Sequence, residues 1–192
     1  MKLLIAGLLV FLGVHSLRMF APYWRAQTLE RLGEGPWKGL YSLVALAGLV
    51  MIAWGFDLAR DQPVILWTPP IGMRHAAALL TLLAFVLLAA AYVPGNQIKA
   101  RLHHPMVLGV KSWALAHLLA TGMLVHLLLF GCFLVWAALN FRAARQRDRA
   151  DGVTYAPGTV RATVITVVLG VAGWAAFAFG LHGLLIGIKP FG

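Results

Sequence analysis

Apolar residues run along this chain in long blocks separated by short polar stretches. The blocks cover about Leu3–Phe20, Gly39–Phe56, His75–Val93, Met106–Phe141 and Val160–Ile188. A bilayer-spanning helix needs roughly 20 apolar residues, and four of the blocks approach that length or exceed it modestly. The fourth block, 36 residues from Met106 to Phe141, is too long. As one helix it would measure about 54 Å at 1.5 Å per residue, against a hydrocarbon core of about 30 Å. It has to fold back, and Thr121-Gly122 is the polar, flexible break near its middle. The pattern therefore predicts an all-α, polytopic membrane helix bundle of about six transmembrane helices, a single integral membrane domain over residues 1–192.

Composition agrees with the pattern. Of the 192 residues 61% are hydrophobic and 11% charged, whereas a soluble domain carries about 25% charged residues. Such a chain is too apolar for disorder and too poor in charge to cover a soluble core. The first block begins Met1-Lys2 and could be read as a signal peptide. Its apolar run is long and no small-x-small cleavage site precedes a polar domain, so it is expected to stay as a span. The lone Cys132 allows no internal disulfide, and no CxxC or CxxCH is present. That excludes a Cys-ligated cluster, a thiolate zinc site and covalent haem attachment.

The net charge of +10 would suggest nucleic acid in a soluble protein. In a membrane protein it reports orientation instead. Alternating through six spans puts Lys2, Arg60, Arg74 and Lys189 on one side and the other 12 basic residues on the opposite side. The positive-inside rule makes the second side cytoplasmic. The expected location is thus a bacterial inner membrane, crossed several times, with both termini periplasmic. The run Arg142–Arg149 reads as an anchor at anionic headgroups and not as a nucleic-acid patch. The partner expected from composition is the lipid bilayer, with no nucleic acid.

Ionisable residues inside a bilayer are costly and are the first candidates for function. No Asp or Glu falls inside a predicted span, which argues against a carboxylate relay, and no HExxH occurs. What remains is imidazole. His15, His75, His103, His104, His117, His126 and His182 all lie in spans or at their ends. Any one of them can be a satisfied residue between helices. Several in so small a bundle suggest non-covalent haem b, which needs two imidazoles and an apolar slot. Gly7, Phe11 and His15 share one helix face, as do Gly109, Trp113 and His117. A small residue, an aromatic and a histidine on one face could seat a flat macrocycle, or could be ordinary close packing. Trp174, Ala178 and His182 repeat the spacing, so it is not specific. By depth, His15 pairs better with His104 than with His117, roughly 12 Å away along the normal. Lys111, two turns inside its span, either snorkels or offers an ammonium to an anionic group such as a haem propionate.

The stretch RLHHPMVLGVKSWALAHLLATG, Arg101–Gly122, resembles the signature of NnrU family membrane proteins. VHSLR at Val14–Arg18, GLYSLVALAGLV at Gly39–Val50, LWTPP at Leu66–Pro70 and LHGLLIGIKP at Leu181–Pro190 resemble the same family, so the likeness covers nearly the whole chain. It implies a link to denitrification, that is, support of nitrite and nitric oxide reduction. It also implies kinship with 15-cis-zeta-carotene isomerase, a haem b membrane enzyme. That relative has VHS in an early span and an HP motif followed by AH at the spacing separating His104 from His117 here. Carried over by motif, His15 and His117 correspond to its axial haem ligands, and His104 to the histidine of HP. The chain departs from the isomerase in lacking its longer N-terminal region and in its sixth span, which puts carotene isomerisation in more doubt than haem. The implied function is a haem b protein of nitrogen-oxide respiration, extending to redox-dependent isomerase chemistry on a hydrophobic polyene substrate. A non-catalytic factor that assembles or anchors a nitrogen-oxide reductase is the alternative.

Overall fold

A computed structural model describes residues 1–191. Helices follow in the order α1 (Lys2–Phe20), α2 (Pro22–Leu32), α3 (Glu34–Arg60), α4 (Gly72–Tyr92), α5 (Gln97–Leu102), α6 (Pro105–Ala120), α7 (Leu124–Ala150), α8 (Val160–Ala176) and α9 (His182–Ile186). A π-helical turn, Phe177–Leu181, joins the last two. The all-α expectation holds. Five helical stretches are long and apolar enough to cross a membrane, namely α1, α3, α4, α7 and Val160–Ile186. The protein is therefore a multi-pass membrane protein. The remaining expected span, α6, has 16 residues, or about 24 Å, short of a full hydrocarbon core.

The chain divides into two compact units. The first comprises Met1–Pro69 and Thr121–Ala143, the second Pro70–Ala120 and the chain from Ala144 onward. In the first, α1 and α3 run antiparallel at very close range. A Cβ on Gly7 would sit 2.7 Å from the Ile52 nitrogen, one on Gly48 2.8 Å from the Phe11 nitrogen, and one on Gly55 2.3 Å from the Leu4 nitrogen. Hydrophobic transfer gives no drive between helices already in lipid, so backbone approach and dispersion hold such a pair. Leu4 and Leu8 are buried in the seam beside Ile52.

α3 starts earlier than the apolar block because Glu34 and Pro36 fit its first turn. A carboxylate suits the positive helix end, and proline there gives up only an N–H that would lack an intrahelical partner. α2 was not legible as a span. It begins with Pro22, ends at Gly33 with φ +79°, and exposes Tyr23 and Trp24. Aromatic and basic residues in a short helix suit a membrane surface.

The fold-back predicted at Thr121-Gly122 is present. Leu66 and Trp67 both donate their N–H to the Gly122 carbonyl, at 2.8 and 3.2 Å, and Leu124 donates to Val64 O at 2.9 Å. Only glycine fits there, because a Cβ would fall on the Trp67 carbonyl oxygen.

In the second unit α4 packs against both α6 and α8. Gly109 seats α6 against the Ala84 carbonyl, and Gly170 seats α8 against Val86. Ser112 Oγ donates to Leu80 O at 2.7 Å, and Trp174 Nε1 donates to Thr81 Oγ1 at 3.1 Å. Polar side chains in an apolar bundle thus find partners across helices. Asn96, 1% exposed, caps α5 by accepting from Lys99 N at 2.7 Å and donates to Ala90 O at 2.9 Å.

Candidate functional site

His15 lies on α1 in the first unit, one turn past Phe11. Its Nδ1 is 2.7 Å from the Phe11 carbonyl oxygen. A carbonyl can only accept, so Nδ1 carries the proton and Nε2 carries the lone pair. Aromatic rings surround this imidazole. Phe11 is 4.2 Å away, centroid to centroid, Tyr41 5.4 Å and Trp136 6.1 Å at right angles. The Trp136 Nε1–H is buried, and among the described residues it has no hydrogen-bond partner. An unmet buried donor is unusual enough to call for an explanation.

His117 lies on α6 in the second unit and repeats the arrangement. Its Nδ1 donates to the Trp113 carbonyl oxygen at 2.8 Å, and the Trp113 ring is 5.2 Å from the imidazole. Both histidines are half-buried. Each therefore has one tautomer selected by its own helix, with Nε2 the basic nitrogen. A histidine that binds a metal through Nε2 is prepared in the same way, by an Nδ1–H bond that fixes the ring.

The small residues of these two faces serve packing. Gly7 is filled by α3 and Gly109 by α4, so neither opens a slot for a macrocycle. The third matching face is interrupted. The π-helical turn Phe177–Leu181 falls between Trp174 and His182, and His182 Nδ1 donates beyond its helix to Ile188 O at 2.6 Å.

His104 takes a different partner. Its Nε2 donates to Asp148 Oδ2 at 2.8 Å, and Tyr155 donates its hydroxyl to the same oxygen at 3.0 Å. The HHP motif is thereby tied to the polar end of α7. Next to it, His103 has φ +67° and ψ −50°, and His104 N–H bonds back to Leu102 O at 2.8 Å. That is a γ-turn of the positive-φ kind, rare and strained by about 1–3 kcal/mol for a residue with a side chain. The His103 ring stacks on Tyr155 at 4.1 Å, and its Nδ1 meets the Arg145 guanidinium in a short hydrogen bond. A guanidinium has no acceptor, so Nδ1 here is the acceptor. The same nitrogen lies 3.7 Å from Asp148 Oδ2. Burial pushes the Tyr155 hydroxyl above its ordinary pKa, and its bond to the Asp148 carboxylate and that group's charge push it further.

This cluster went unnoticed in the sequence. Asp148 is the one acidic residue in RAARQRDR, and Tyr155 follows in a polar loop. The isolated acid within a basic run was the available signal. Lys111 is half-buried on α6. His75 is exposed near the start of α4. His126 is buried against Phe56 and Phe130. Among the described residues no three or more His, Cys, Asp or Glu side chains converge as a metal-ion site.

A family model described as NnrU protein matches residues 3–190. No curated protein matches the chain, and no solved structure does.

Proposed function

The chain belongs to the NnrU protein family, and from that premise we propose that it is an integral membrane haem b protein serving nitrogen-oxide respiration. His15 and His117 are the residues that would hold it. One observation carries this reading: both imidazoles donate Nδ1–H to the carbonyl four residues earlier, which presents Nε2 as the metal-binding nitrogen.

The donor set suits the group, while Gly7 and Gly109 are committed to helix packing. Two imidazoles would suffice to hold haem b, and no carboxylate cluster is needed. Aromatic rings line His15, and the buried Trp136 N–H would be a donor for a polar atom of a bound molecule. Lys111 supplies an ammonium for a propionate. When bound, haem b would supply a one-electron couple at its iron.

The protein's own part in the chemistry is narrower. The Phe11 and Trp113 carbonyls hold each imidazole in one tautomer and limit its rotation. The aromatic walls keep the medium apolar, which suits a hydrophobic polyene substrate as well as a small nitrogen oxide.

Expression with haem supply, purification in detergent and a spectrum with and without dithionite test the reading. A low-spin b-type spectrum supports it, and absence of haem sinks it. If haem is present, reductive incubation with a poly-cis carotene tests the isomerase chemistry.

A further inference from the structure

We propose that the pocket lined by His103, Arg145 and Arg149 binds a phosphate-type anion, carried by a lipid headgroup or free in solution. The pocket is open, with a volume of about 300 Å³, and Asp148, Gly152 and Val153 complete its wall. Arg145 and Arg149 stand four residues apart, on one face of α7. Two planar forks with donors and no acceptors match phosphate oxygens better than any neutral group does.

Charge run alone does not carry the proposal, since basic residues at a helix end are usually solvated. Two further features are independent of it. First, Arg145 hydrogen-bonds to His103 Nδ1 and not to a carboxylate. The lone carboxylate of the wall, Asp148, is engaged elsewhere, accepting from both His104 and Tyr155. Second, His103 holds a strained γ-turn that stacking on Tyr155 keeps in place. Strain of this kind persists where surrounding contacts over-determine it, commonly at binding sites. The Asp148 carboxylate opposes an anion, and the two guanidiniums outnumber it.

The test uses the full chain in a maltoside detergent. It is titrated with inorganic phosphate and, separately, with short-chain phosphatidic acid, at constant chloride. Binding is read by native mass spectrometry and by thermal shift. The wild type binds at least one of the two. Binding of inorganic phosphate assigns a soluble source, and binding of phosphatidic acid alone assigns the headgroup. Arg149→Gln, at an exposed position, weakens binding about tenfold or more, the worth of one charged hydrogen bond. Arg149→Lys, keeping charge without the fork, weakens it less. Arg161→Gln, exposed on α8 and outside the pocket, leaves it unchanged. Failure of both ligands to bind, or equal weakening by Arg161→Gln and Arg149→Gln, overturns the proposal.

Discussion

The Nδ1–H of His15 donates to the carbonyl oxygen of Phe11 at 2.7 Å, and the Phe11 ring lies 4.2 Å from the imidazole that its backbone steers. His117 stands in the same relation to Trp113. A helix that supplies both the tautomer lock and an aromatic wall needs only a four-residue spacing to do so. This is why Phe11–His15 and Trp113–His117 can be read as matched pairs even though their glycines are committed to packing.

The tautomers are directly measurable. In haem-free protein with ¹⁵N-labelled histidine, the neutral rings of His15 and His117 are expected to carry their proton on Nδ1. Protonation of Nε2 in the neutral ring would remove the geometric basis of the ligand assignment.

Packing of α1 on α3 admits no Cβ at Gly55. Gly55→Ala is expected to cost about 1–3 kcal/mol, the usual range for overpacking, because the nearest obstacle is Leu4 backbone. Gly13→Ala, where nothing lies within 4 Å, is the control and should leave the melting temperature in detergent unchanged or slightly raised. Equal melting temperatures for the two variants would contradict the close crossing.

Asp148 gathers the HHP motif and the following loop. Asp148→Asn keeps the shape and removes the charge that His104 and Tyr155 bond to. Hydrogen bonds to charged groups contribute about 1.5–3 kcal/mol, and partial exposure places the loss toward the lower end. The expected result is earlier proteolysis of the 151–159 loop and a lower melting temperature. An unchanged cleavage rate would show that the cluster does not hold the loop.

Tyr155 gives a pH dependence with a definite sign. Its folded-state pKa is raised, by burial first and by Asp148 next. The stability it contributes is therefore complete below the ordinary tyrosine pKa and falls as pH rises through the elevated folded value. As pH rises above the free tyrosine pKa of ∼10, wild type should lose stability more steeply than Tyr155→Phe. Parallel curves for the two proteins would refute this.

The spans were legible because hydropathy acts residue by residue and needs no partner. Leu3–Phe20 became α1 almost unchanged, and the fold-back at Thr121-Gly122 followed from length alone. Three features were hidden, each for a physical reason. α2 and α5 are short and polar, so no apolar block announces them. The π-helical turn alters register without any change in composition. The His104–Asp148 bond joins residues 44 apart, a pairing that only folding reveals. Seven histidines stood out as candidates. Which of them carry an Nδ1–H lock depended on side-chain rotamers, which spacing does not fix.

The most direct test of the central claim is the reduced-minus-oxidised spectrum of purified protein beside His15→Ala and His117→Ala. The account predicts a low-spin b-type signal in wild type and its loss, or conversion to high spin, in each variant. A low-spin spectrum that survives both substitutions, or no haem in wild type expressed with haem supply, would contradict it.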